Sequence, residues 1–193
     1  MTTHDLLDPA ARHRLTVEEY LLLDREGAFG DRDTELFDGE VYYMSPKHRP
    51  HARTVGDVYF AIRTALRDCG SSLTALIDVS ARLSDYDVPE PDIAVTDAPG
   101  GEGILPLGAL KLAIEVSDTT LAKDLGFKEQ LYARAGVPEY WVIDLNENRV
   151  LMHANPRTEA EGGGYDGQLD MPFGEVLYSA TIEGLTVETT GWG

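Results

Sequence analysis

The chain has 193 residues, the size of one ordinary domain, and folding at that length removes roughly 70% of the unfolded surface from water. A hydrophobic fraction of 42% and a charged fraction of 26% exclude a mostly disordered chain. The 34 acidic and 16 basic residues give a formal net charge of −18, which excludes broad non-specific coating of DNA or anionic membrane but not a local basic strip.

One domain is expected over 1–193, with a flexible start at 1–14. Those first residues hold short apolar stretches broken by Asp5 and Asp8, too weak for a signal-peptide core. No segment approaches the ~20 apolar residues of a membrane helix. Cys69 is the sole cysteine, so neither an intrachain disulfide nor a cysteine metal cluster can form. The expectation is a cytoplasmic protein with no membrane partner.

Thr16 to Glu26 reads as a helix, because Thr16 and Glu19 have capping-box spacing and Leu15 and Tyr20 occupy staple positions. Gly27 and Gly30 end it. TELF and EVYYM flank Asp38-Gly39, a dipeptide that favours a hairpin turn. Between 50 and 69, apolar residues from Ala52 to Cys69 fall on one helical stripe stopped by Gly70. Strands are expected at 73–83, 91–96 and 110–117, with a Gly/Pro loop before the last. In that last strand Leu112, Ile114 and Val116 face one way, and Lys111, Ala113, Glu115 and Ser117 the other, polar way. A helix over 120–135 ends at Gly136. YWVIDL and RVLMHA around a NEN turn read as a second hairpin, 157–168 as an exposed loop, and the tail as two or three short strands. These alternations predict an α/β (mixed α+β) fold, a central mixed sheet flanked by helices with β-hairpins.

The chemistry concentrates in 91–145. Asp92 opens one strand and Glu115 lies on the next. Two carboxylates from adjacent strand ends can serve Mg²⁺, which takes one or two of them and keeps several waters, although either acid taken singly reads first as a solvated or salt-bridged side chain. Lys128 shares a helical face with Leu125, Leu131, Tyr132 and Ala135. A lysine on that apolar face must snorkel outward or find carboxylates. Two readings stand: an Asp124–Lys128 helix pair, or a lysine held over a carboxylate site containing Glu115.

The strings PD at 91–92, EVS at 115–117, D-x-x-x-K at 124–128 and YARAGVPEYWVID at 132–144 resemble the Uma-type restriction endonucleases of the PD-(D/E)XK nuclease superfamily. ELFDGEVYYMSP at 35–46 and the following His51 resemble the family's N-terminal pattern. The resemblance covers most of the chain and implies the restriction-endonuclease-like fold and a metal-dependent endonuclease. Asp92 then matches the superfamily aspartate and Glu115 the next acid. Ser117 stands where the usual lysine would be, and Lys128 from the following helix replaces it. Asp92, Glu115 and the Val116 carbonyl would hold Mg²⁺ or Mn²⁺, with Lys128 orienting the attacking water. Glu35, His51, Ser117 and Asp124 are supporting candidates, and His51 could equally be a solvent-facing helix start.

Between 41 and 67 the basic residues Lys47, Arg49, Arg53, Arg63 and Arg67 face Asp57 alone. They are either a strip for a nucleic-acid backbone, with Lys47, Arg49 and Arg53 as contacts, or an ordinary charged helix face. Tyr140 and Trp141 read as core or dimer residues rather than base-stacking groups. The implied partner is nucleic acid, DNA before RNA. A homodimer is possible in which the 140–154 hairpin supplies an edge. The competing readings are a nuclease fold that no longer cuts and acts in binding or regulation, and an acidic metal-binding protein in which Lys128 is dispensable.

Overall fold

The computed structural model describes residues 13–157 and 162–192. Most of the segment expected to be flexible, 1–12, and part of the expected loop, 158–161, lie outside the described residues.

Helix α1 (Val17–Arg25) begins with the expected capping box: Thr16 accepts from the Glu19 N–H, and the Glu19 carboxylate accepts from the Thr16 N–H at 2.9 Å. From this helix the Tyr20 hydroxyl donates to the Thr34 carbonyl at 2.9 Å and fixes the start of β1 (Thr34–Phe37). β1 pairs antiparallel with β2 (Glu40–Tyr43) through the turn at Asp38-Gly39, whose φ values of 51° and 77° are those of a tight hairpin. Gly39 is obligatory for a second reason: a Cβ there would meet the Arg14 Cβ at 2.6 Å. Reciprocal bonds between Leu36 and Val88 then lay β1 against the segment leading to Asp92.

The central sheet has six strands: β3 (Thr74–Ile77), β4 (Ile93–Thr96), β5 (Leu110–Ser117), β6 (Glu139–Asp144), β7 (Arg149–Pro156) and β8 (Tyr165–Pro172), adjacent in that order. All neighbours are antiparallel except β5 and β6. That parallel pair needs a crossover, which is the helical segment α3 (Leu121–Lys123), a π-helical turn (Asp124–Lys128) and α4 (Glu129–Arg134). The tail forms a separate hairpin of β9 (Val176–Tyr178) and β10 (Thr186–Glu188).

Helix α2 (Arg49–Asp68) covers one face of the sheet, burying Val55, Val58, Ile62 and Leu66 against Leu112, Ile114 and Trp141. Tail residues Leu177, Leu185, Val187 and Trp192 complete that core. On the other face Leu131 and Tyr132 pack on Ala113, Tyr140 and Val142. With both faces covered, the expected polar side of β5 is not solvated: every residue of the strand except Lys111 is buried.

Other expectations also change. The strand predicted over 73–83 stops at Ile77, because Asp78 takes a φ of 48° that no strand continues. The loop expected over 157–168 gives residues 165–168 to β8, where buried Tyr165 donates its hydroxyl to the Val137 carbonyl at 2.9 Å. Consequently β7 is paired on both sides and the 140–154 hairpin presents no free edge; the sheet ends at β3 and β8. Tyr140 and Trp141 are wholly buried, as core residues. Among the described residues no helix is long and apolar enough to cross a membrane.

His153 on β7 is buried, and neither ring nitrogen has a hydrogen-bond partner among the described residues. Its Nδ1 lies 3.6 Å from Glu129 Oε1, too far for a hydrogen bond, and burial holds its pKa below the ordinary 6.5. Below that pH the unfolded chain takes up a proton that the folded state refuses, so stability falls as pH drops from 6.5 toward the folded value, by up to about 1.4 kcal/mol per unit. In urea unfolding at pH 7.5 and 5.0, His153→Leu is expected to lose less stability on acidification than wild type. Equal losses would refute the assignment.

Candidate active site

The expected acids converge because β4 and β5 are antiparallel neighbours with Ile93 opposite Ile114, which sets Asp92 beside Glu115 at the strand ends. The Val116 N–H donates to Asp92 Oδ2 at 2.8 Å. Asp92 Oδ1 lies 3.0 Å from His51 Nε2 and 3.5 Å from Lys47 Nζ. Burial alone would raise the Asp92 pKa; His51, the Val116 amide and Lys47 outweigh it and hold the carboxyl below its usual range. The hydrogen bond to Asp92 in turn raises His51.

Lys128, at the end of the π-helical turn, is buried with its Nζ 2.8 Å from Glu115 Oε1 and 3.2 Å from Glu35 Oε1. Glu115 Oε1 also accepts from the Tyr132 hydroxyl at 2.9 Å. Glu35 Oε2 takes Lys123 at 3.2 Å, and its Oε1 accepts the Glu90 N–H. Burial, opposed by the Lys128 ammonium, and then the carboxylates of Asp92, Asp124 and Glu35 push Glu115 up to about 8. Burial would lower Lys128, but Glu115 and Glu35 overcome it and raise its pKa.

The helical segment is held in place by Asp124. Its Oδ2 accepts from Ser117 Oγ at 2.5 Å and Thr120 Oγ1 at 2.6 Å, while its carbonyl accepts from the Tyr140 hydroxyl at 3.1 Å and from the Glu129 N–H, the five-residue bond of a π turn. With that carboxylate so engaged, no Asp124–Lys128 ion pair forms among the described residues. Glu35, Asp92, Glu115 and Lys128 line one cleft, with Lys47, His51 and Lys123 also on its walls.

The family model of Uma2, described as "Putative restriction endonuclease", matches residues 14–188. The chain belongs to the Uma2 family. Among solved structures it is similar to a "putative nuclease belonging to DUF820" from Anabaena variabilis ATCC 29413, with a TM-score of 0.65, 17% identity and coverage of 86% of this chain and 89% of that one. At that identity the likeness shows the nuclease fold. No curated protein matches.

In this Uma2 chain the structure gathers Glu35, His51, Asp92, Glu115, Val116, Asp124, Lys128 and Lys47 at one cleft, and places Ser117 behind it, bonded to Asp124 as a support of the helical turn. His51 faces Asp92 rather than solvent alone. Arg49 and Arg53 do not join them; they stand on the exposed face of α2. Tyr132 and Lys123 escaped the sequence reading. Tyr132 was counted as apolar stripe, although a tyrosine four residues after a buried lysine is a usable signal. Nothing marked Lys123, since its partner Glu35 is 88 residues away.

Four carboxylates, Glu35, Asp92, Glu115 and Asp124, are buried at the cleft, against one buried ammonium among the described residues, that of Lys128. Such an excess of hard oxygen donors fits a hard divalent cation. Among the described residues no three His, Cys, Asp or Glu side chains already stand as a metal-holding group.

Tyr132→Phe removes one of two donors to a buried carboxylate, and a hydrogen bond to a charged group contributes about 1.5–3 kcal/mol. The urea midpoint is expected to fall by that equivalent; an unchanged midpoint would show the hydroxyl to be dispensable.

Proposed function

We propose that this chain is a metal-dependent endonuclease that hydrolyses phosphodiester bonds, with DNA as the substrate. The carrying observation is the Lys128 ammonium, buried between Glu115 and Glu35 in the cleft that Asp92 also lines. The choice of DNA rests on the family's description as restriction endonucleases.

Asp92, Glu115 and the Val116 carbonyl would hold Mg²⁺ or Mn²⁺, which supplies Lewis-acid polarisation of the phosphoryl oxygen and available hydroxide near neutral pH. Lys128 orients the attacking water by a hydrogen bond and offsets the negative charge that grows on the phosphoryl oxygens. Glu35 keeps that ammonium in place by sharing it with Glu115. His51 and the Val116 N–H fix the Asp92 carboxylate, so that the donor is aimed before substrate arrives. Two copies acting together would serve the two strands of a duplex. A sedimenting complex with one 21.2 kDa copy per duplex would rule that arrangement out.

A second reading is favoured by one observation: both Asp92 oxygens already have partners in the chain, Oδ1 with His51 and Lys47, Oδ2 with the Val116 amide. A nuclease fold that binds without cutting would keep them so. Single- and double-stranded DNA and RNA, incubated with Mg²⁺ or Mn²⁺ beside Lys128→Met, separate the two. Metal-dependent cutting lost in the variant supports the nuclease. No cutting of any substrate, by protein that still binds Mn²⁺, supports the binding protein.

A further inference from the structure

Helix α2 enters the cleft with His51 and then runs away from it across the surface. Its inner face is the apolar stripe already described. On its outer face Arg49, Arg53, Phe60, Arg63 and Arg67 are all exposed. At 3.6 residues per turn these five fall within an arc of about 80°, and at 1.5 Å per residue they span about 27 Å. The row is therefore straight, its Arg49 end follows His48 at the rim of the cleft, and it carries four arginines in a protein of net charge −18.

Phe60 is the decisive member. It is 73% exposed, more than any other large hydrophobic side chain among the described residues, and it sits between two pairs of arginines. Monomer packing gives an aromatic ring no reason to stand there. Three of the arginines have partners at the surface: Arg53 lies 3.7 Å from exposed Asp57, Arg67 2.8 Å from exposed Asp68, and Arg63 donates to the hydroxyl of half-buried Tyr59 at 2.8 Å. Such contacts are weak and readily exchanged for a stronger anion. Phe60, Arg63 and Arg67 also border a shallow groove against Leu73 and Thr74 of the neighbouring β3 segment.

We propose that the outer face of α2 is a track for a single-stranded nucleic-acid segment leading into the cleft, its phosphates on Arg49, Arg53, Arg63 and Arg67 and a base stacked on Phe60. This deepens, and rests on, the nucleic-acid reading given above. The charge complementarity names a polyanion. An exposed aromatic ring amid the charges favours an unpaired base over a duplex, whose bases are already stacked on one another, and a single strand can lie along a straight row of charges.

Fluorescence anisotropy of labelled 12-nucleotide oligo(dT), without divalent metal, tests the track over 50–200 mM NaCl. Phe60→Ala is expected to weaken binding roughly 5–150-fold, the effect of losing one base–aromatic stack. Arg63→Ala/Arg67→Ala is expected to weaken it and to flatten the log–log salt slope by about 1.4, or 0.7 per phosphate contact. All three side chains are solvent-facing, so thermal unfolding should match wild type and vouch for the fold. If wild type cuts nucleic acid while these variants bind oligo(dT) with wild-type affinity and slope, the track is wrong and the nuclease stands. Tighter binding of a 12-bp duplex, indifferent to Phe60→Ala, overturns the single-strand assignment. Poly-glutamate competing as well as oligo(dT) overturns it in favour of an acidic protein partner. Wild type that neither cuts nor binds any nucleic acid removes the nuclease reading itself, and the track with it.

Discussion

Lys128→Met is expected to lower metal-supported cleavage by at least about 10²–10³-fold, the loss typical of removing one transition-state donor, while Mn²⁺ affinity measured by calorimetry stays close to wild type. Methionine keeps the length of the stem and loses only the ammonium, so the packing against Tyr132 and the sheet is preserved. The cost falls on Glu115, which then lacks the one cation that pulls its pKa down and, already at about 8, moves higher. A carboxyl raised in this way contributes stability that is present below the unfolded value of 4.5 and lost as pH climbs through the folded value. The variant should therefore differ least from wild type in thermal unfolding at pH 6 and most at pH 9. Full activity in Lys128→Met would sink the assignment, and lost Mn²⁺ binding would recast the lysine as part of the metal's support.

Glu139→Ala is expected to be the most destabilising single change away from the cleft, by at least about 3–5 kcal/mol, the scale for stripping a buried charged group from its partners. The residue opens β6 and is wholly buried. Its Oε1 accepts from Trp141 Nε1 at 2.7 Å and the Ala180 N–H at 3.2 Å. Its Oε2 accepts from Ser179 Oγ at 2.6 Å, the Thr181 N–H at 3.2 Å and Thr181 Oγ1 at 2.7 Å. No cation is involved; five neutral donors solvate the carboxylate in place of water. Alanine would orphan all five and detach 179–181 from the sheet. Guanidinium unfolding reads the loss directly, and a shift below about 1 kcal/mol, the net worth of one ordinary hydrogen bond, would show that water replaces the carboxylate freely.

The parts of this molecule that could be read from sequence are those governed by short spacing. The capping box at Thr16 and Glu19, the Asp38-Gly39 turn, the period of β5 and the helical face of Lys128 each need fewer than ten residues of context, and each leads to the observed element. The meeting of Asp92 with Glu115 follows from two neighbouring strands. The remainder depends on distance along the chain. His51 meets Asp92 across 41 residues and Glu139 meets Thr181 across 42. The burial of both faces of β5 depends on α2 and α4 together, so a pattern of alternation read as half-solvated was in fact enclosed. The π turn was hidden because its cause is not local propensity: the Tyr140 hydroxyl of β6 and the hydroxyls of Ser117 and Thr120 bind Asp124 from outside the turn.

The cover of α2 bears on the order in which a ribosome delivers this chain. Every residue that lines the cleft has been synthesised by Lys128, yet the inner face of α2 is closed by Leu177, Leu185, Val187 and Trp192, and Thr54 bonds the Trp192 carbonyl across 138 residues. A nascent chain that has just emitted its cleft residues therefore holds His51 on a helix whose apolar stripe is only partly covered. Arrested nascent chains ending near residue 170 should be nicked by protease within α2, and those extended past Trp192 should resist. The wall of the cleft that carries His51 would set last, after translation has moved beyond it.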